Sequence, residues 1–111
     1  MPCVSFCLVN PIITKDPNDT EITYKDPTGG FICCEAQGFP TPNITWYQNG
    51  TLLTDMANVT ELESKPYTRT STVNFINAIF NDSGSYYCVA TSAADNVVEA
   101  RSDTSYVSVQ G

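Results

Sequence analysis

A chain of 111 residues with 12 acidic and 5 basic side chains carries a formal net charge of −7; it has room for one domain with a modest core and repels nucleic-acid backbones and anionic membrane surfaces. It contains no histidine, which removes the commonest general base and the commonest metal ligand together. No apolar run approaches the ~18 residues needed to cross a bilayer, so no membrane insertion is expected of this stretch.

The opening MPCVSFCLVN lacks the basic start and the cleavage site of a secretory signal. Residues 1–8 are therefore read as an N-terminal segment or linker of a fragment, ahead of a domain over residues 9–110. Short apolar alternations then recur between turn signals. PIITK is followed by TEITYK, and KDPTGG breaks the chain before GFICCEA, because Pro and Gly there favour a reversal. GFPTPN is a second break. In NITWYQ, Ile44 and Trp46 share one face, and the NGT at 49–51 is the strongest hairpin signal in the chain. TLLTD, a polar stretch through Lys65, and TSTVNF with Val73 and Phe75 on one side come next. NDSG turns the chain into SYYCVA, and EARSDTSYVSV closes it. No stretch sustains a helical period with caps. Seven to nine short strands predict an all-β sandwich or barrel.

Parity separates the adjacent cysteines. Ile32, Cys34 and Ala36 form an apolar set, whereas Phe31, Cys33 and Glu35 end in a charge, so Cys34 points inward. Tyr86 and Cys88 share a face, which makes Cys88 the natural partner of Cys34, with Trp46 able to cover the sulfurs. The segments Cys34-x-Ala36-x-Gly38-x-Pro40-x-Pro42-x-Ile44-x-Trp46, Asn49-Gly50, Val73-x-Phe75-x-x-Ala78 and Asp82-x-Gly84-x-Tyr86-x-Cys88-x-Ala90 together resemble the intermediate (I-set) type of the immunoglobulin superfamily. The resemblance implies a Greek-key β-sandwich of two antiparallel sheets joined by the Cys34–Cys88 disulfide. It also implies that Asp82 and Gly84 turn the chain into strand F and that the Tyr86 hydroxyl bonds to backbone upstream. Residues 53–73 leave room for a C′ edge and a D strand but hardly for a C″ strand. Two features depart from the pattern: Phe80 is apolar where a polar turn residue is usual, and Cys33 is an extra thiol.

Catalysis and metal binding find no support. Adjacent Cys33 and Cys34 cannot place two thiolates on one strand face, Cys3 and Cys7 are spaced too widely for a typical zinc pair, and no base stands beside a nucleophile. Asp95, Asn96 and Asp103 lack the dense carboxylates of a calcium loop. The chain is read as no enzyme, with no cofactor, no metal and no small-molecule substrate. The odd cysteine count leaves open a second bridge from Cys7 or Cys3 to Cys33. Sequons at Asn18, Asn43, Asn49, Asn58 and Asn81, together with paired cysteines, point to an oxidising, glycosylating compartment and an extracellular glycoprotein.

What remains is surface. On strand C the outward set is Asn43, Thr45, Tyr47 and Asn49, and on the neighbouring strand F it is Tyr87 and Val89. Tyr47 and Tyr87 form an exposed cross-strand pair that serves either a partner or the sheet alone. The candidate contact residues are Tyr47, Tyr87 and Val89 with Ser92, Asp95 and Asn96 of the F–G loop. Two functions fit: a binding domain of a cell-surface adhesion molecule or receptor, homophilic or heterophilic, and a spacer in a multidomain matrix or receptor protein that contacts no ligand.

Overall fold

The computed structural model describes residues 9–54, 58–92 and 98–111. The apolar alternations become ten strands: β1 (Val9–Lys15), β2 (Thr20–Thr23), β3 (Gly30–Phe39), β4 (Asn43–Gln48), β5 (Thr51–Leu52), β6 (Val59–Lys65), β7 (Thr68–Phe75), β8 (Gly84–Thr91), β9 (Glu99–Arg101) and β10 (Ser105–Gln110). One sheet has the order β1-β3-β7-β6; the other runs β2-β10-β8-β4-β5, with β9 also on β8. All pairings are antiparallel except β2 with β10. This is the expected two-sheet sandwich. Among the described residues, β5 is the only strand between β4 and β6, in keeping with the intermediate type.

Each turn follows from its residues. Asn49 (φ 53°) and Gly50 (φ 82°) supply the two positive φ values that a two-residue hairpin of type I′ demands, and Gln48 faces Thr51 across it. In KDPTGG, the Asp26 carboxylate accepts the Thr28 amide at 2.9 Å and its hydroxyl at 2.7 Å. Gly29 at φ 55° passes so close to Phe75 that a Cβ there would overlap its carbonyl oxygen.

The parity of β3 holds. Ile32, Cys34 and Ala36 are buried between the sheets with Ile44, Trp46, Val73, Phe75, Tyr86, Cys88, Val107 and Val109. Cys34 is bonded to Cys88 with Cα atoms 6.6 Å apart. Trp46 is fully buried, and its indole N–H donates to the Ser71 hydroxyl at 2.9 Å, so the one polar atom of the ring does not go unpaired. Glu35 keeps outward parity yet is not solvated. It is buried between β1 and β7, its carboxylate accepting the Thr14 hydroxyl at 2.8 Å and the Thr70 hydroxyl at 3.5 Å.

The chain enters β8 through a short 3-10 turn, Phe80–Asp82. The Asp82 carboxylate accepts the Ile79 amide at 3.0 Å, and the Tyr86 hydroxyl donates to the Asp82 carbonyl at 2.6 Å, which is the expected tyrosine corner. Gly84 stands at φ 145°, and a Cβ on it would collide with the Asn49 amide. Phe80 has a reason to be apolar: its ring stacks on Tyr24, centroids 4.5 Å apart, pinning the turn to the end of β2.

Burial first, and then the Asp82 carboxylate, push the Tyr86 phenol well above the usual tyrosine range. In the unfolded chain a tyrosine ionises near pH ~10, so above that pH the unfolded state binds fewer protons than the folded one and stability falls as pH rises. Urea midpoints should be steady between pH 7 and 9. They should then decline above pH ~10 by up to about 1.4 kcal/mol per pH unit from this group. Tyr86→Phe should cost about 1 kcal/mol at pH 7 and remove that part of the alkaline decline.

Candidate functional site

The outer face of β4, β8 and β9 presents a stacked array. Tyr47 lies opposite Tyr87 in register, and the shared parity of the two strands puts both rings on the outside, centroids 5.0 Å apart and planes 5° from parallel. Arg101 lies opposite Val89, one diagonal step from Tyr87, and its guanidinium carbon sits 3.7 Å above the Tyr87 ring. A bulge sets the register of this last strand. Arg101 faces Val89 and Ser105 faces Tyr86, so Tyr87 and Cys88 stand opposite Ser102, Asp103 and Thr104, one residue more. Ser102 holds the irregular stretch: its amide donates to the Cys88 carbonyl and its hydroxyl accepts the Cys88 amide, both at 2.9 Å.

Two further side chains extend the row. Leu52 pairs with Tyr47 across the hairpin and is 48% exposed, and Tyr106 pairs with Ser85 and is 62% exposed. Leu52, Tyr47, Tyr87, Arg101 and Tyr106 therefore run across the sheet from its β5 edge to β10. Of these, Leu52 was legible in the sequence, because a two-residue turn at Asn49-Gly50 fixes Tyr47 opposite Leu52. Arg101 was not, since the bulge that decides its neighbour leaves no residue pattern. Its guanidinium makes no ion pair among the described residues, where the one ion pair is Arg69–Glu61.

Several expectations need correction. Val89 has outward parity but is only 7% exposed, flanked in register by Thr45 and Arg101. Ser92 is buried at the end of β8, with its amide donating to the Val98 carbonyl at 2.9 Å. Neither offers a contact surface. Tyr47 and Tyr87 are half-buried rather than fully exposed, because each ring covers the other. Asn49 does not project from strand C: it occupies the turn, and its side-chain oxygen accepts the Ser85 amide at 3.0 Å. Asp95 and Asn96 lie outside the described residues.

The sequon asparagines Asn18, Asn43, Asn49, Asn58 and Asn81 are all exposed. Cys33 is a half-buried free thiol. Cys3 and Cys7 lie outside the described residues.

The described residues contain no group of three His, Cys, Asp or Glu able to hold a metal ion. Asp103 is instead tied to the β1–β2 connection, its amide donating to the Asp16 carboxylate at 2.8 Å.

Residues 10–92 match the immunoglobulin domain family. The chain belongs to this family. Human hemicentin-1 is 33% identical over 84 residues, 76% of this chain but 1% of hemicentin-1, and the Drosophila melanogaster protein sidekick is 34% identical over 88 residues, 78% of this chain and 4% of sidekick. Among solved structures, titin domain M7 superposes with a TM-score of 0.71 at 19% identity, covering 96% of this chain and all of that one. The chain thus corresponds to a small fraction of its relatives' lengths. In this immunoglobulin domain the cation on the Tyr87 ring is an energetic coupling as well as a surface feature. A double-mutant cycle of Arg101→Ala and Tyr87→Ala, read by urea unfolding, should give a coupling of about 0.5–1 kcal/mol. Strict additivity would mean that the guanidinium spends little time on the ring.

Proposed function

We propose that this immunoglobulin domain, spanning residues 9–110, is an extracellular protein-recognition module whose contact surface is the outer face of β4, β8 and β9, in the manner of an adhesion molecule or receptor. The observation that carries the reading is the Arg101–Tyr87–Tyr47 stack in line with Leu52 and Tyr106. Tyrosine and arginine are the side chains that protein interfaces concentrate, because each offers a large, stiff contact area with a polar edge. Here they are held in place before any partner arrives, so little side-chain entropy remains to be lost on binding. The partner fitting this face is a protein, either a second copy or another molecule, and a carboxylate is the natural complement of Arg101. A solved complex of titin M10 with an obscurin-like 1 immunoglobulin domain, 20% identical to this chain over 93% of it, is an instance of two such domains bound together.

An extracellular setting is supported by the Cys34–Cys88 bridge and by the exposure of all five sequon asparagines, which are the sites proposed to carry glycan. Glycan at Asn43, at the start of β4 opposite Thr91, would border the aromatic row without standing in it. The spacer reading has one observation in its favour: the small share of hemicentin-1 and sidekick that the chain covers, which suits one module among many.

The deciding experiment is a binding screen of the secreted, glycosylated domain against extracellular proteins and against itself. A partner should be retained, and Arg101→Glu or Tyr47→Ser should weaken it about 30-fold or more, the effect of losing a residue worth 2 kcal/mol. A domain that retains nothing and stays monomeric at high concentration is a spacer. Binding that survives both substitutions belongs to another surface.

A further inference from the structure

β9 is a short strand at the rim of its sheet, bonded to β8 on one side. The phase of that ladder decides which of its backbone groups are used. The Ser92 amide donates to the Val98 carbonyl and the Ser102 amide to the Cys88 carbonyl, both at 2.9 Å. Hydrogen-bonded and non-bonded pairs alternate along an antiparallel ladder, so Ala90 with Ala100 is the bonded pair between these two, while Thr91 with Glu99 and Val89 with Arg101 are not. The amides and carbonyls of Glu99 and Arg101 therefore point away from β8. No described strand pairs with them there, because β1 bonds to β3, and β2 joins this side of the sheet further along, at Val107–Gln110. An unpaired edge of this kind is a template for another strand.

We propose that the strand this edge accepts is β9 of a second copy, antiparallel, with Ala100 facing Ala100 across a two-fold axis. In that register Glu99 of each chain stands opposite Arg101 of the other. These are the residues whose backbone groups are unused, so each pair exchanges two main-chain hydrogen bonds and sets a carboxylate against a guanidinium. Three observations carry this. First, Glu99-Ala100-Arg101 is self-complementary: reversed against itself, it matches acid to base at both ends with a small residue between. Second, neither charge is neutralised within the chain, since both side chains are exposed and the one ion pair among the described residues is Arg69–Glu61. Third, β4 and β8, the strands beside β9, contain no charged residue, so nothing on them opposes or competes for the pairing. A foreign strand would have to bring the same alternation, whereas a second copy has it by symmetry. Three residues a side and a net charge of −7 on each chain keep the contact weak. The pairing would join two sheets into one, with both Tyr87–Arg101 stacks on the same side. It rests on the ladder and not on the outer face being a contact surface.

The test uses the full 111-residue chain and two variants, Glu99→Arg and Arg101→Glu, alone and mixed, read by sedimentation equilibrium and by amide hydrogen exchange. The unsubstituted chain should dimerise with a Kd of about 100 µM, as an interface below the standard size allows. Each reversal sets like charges opposite each other and should weaken self-association about tenfold or more. An equimolar mixture of the two variants should associate as the unsubstituted chain does, because every facing pair is again acid against base. Raising the concentration of the unsubstituted chain should slow exchange at the Glu99 and Arg101 amides several-fold and leave Ala100, already bonded to Ala90, unchanged. A chain that stays monomeric at millimolar concentration would overturn the proposal while leaving the outer face open to a different protein. A dimer whose Glu99 and Arg101 amides exchange as in the monomer would overturn it too, the contact then lying elsewhere, and so would a mixture no tighter than its components.

Discussion

The disulfide between Cys34 and Cys88, packed against Trp46, is the constraint on which the rest depends. It joins β3 of one sheet to β8 of the other across 54 residues of chain, and in the chain-entropy model closing such a loop stabilises the fold by about 4 kcal/mol. Its larger consequence is geometric. Successive side chains on a strand face opposite ways, so fixing Cys34 and Cys88 inward fixes every other residue of β3 and β8. Trp46, opposite Cys88 on β4, extends the same parity to the third strand. Tyr47 and Tyr87 face outward together because their neighbours in sequence face in together. The face proposed for recognition is in this sense the reverse side of the core.

That dependence explains how much could be read from sequence. Period-2 alternation settled the inward set of β3, the burial of Val73 and Phe75, and the meeting of Tyr47 with Tyr87, because each follows from counting along one strand or across a regular pair. The Asn49-Gly50 turn was legible because its positive φ values select those residues. What failed were inferences about how deep an outward residue lies. Val89 and Glu35 both have outward parity, and both are buried, one beside Thr45 and Arg101, the other under hydroxyls from Thr14 and Thr70. Burial on an outer face depends on the length and tilt of neighbours in other strands, which sequence order does not contain. Arg101 escaped for a related reason, since one extra residue between β9 and β10 decided which ring it would cover.

Asn49 serves structure beyond the turn that the sequence predicts and the sequon it belongs to. Its backbone turns the hairpin, its amide donates to the Ser85 carbonyl at 2.8 Å, and its side chain lies over Gly84, which has no Cβ to obstruct it. The hairpin bearing Leu52 is thereby fastened to the start of β8, so that one end of the aromatic row is held on the same frame as the other. The 3-10 turn, with Tyr86 bonded to the Asp82 carbonyl and Phe80 stacked on Tyr24, stiffens the entry to β8 from below. Three such fastenings tie the outer face to the entry of β8.

Everything inferred about faces rests on the strand-β3 parity, and the disulfide map reads that parity directly. Secreted protein, alkylated without reduction and digested between Cys33 and Cys34 by partial acid or sequential degradation, would assign each sulfur. The account requires Cys34 joined to Cys88 with Cys33 recovered as the alkylated thiol. A Cys33–Cys88 bridge would shift β3 by one residue, turn Cys34 outward, and contradict the core and the outward placement of Tyr47 and Tyr87 together.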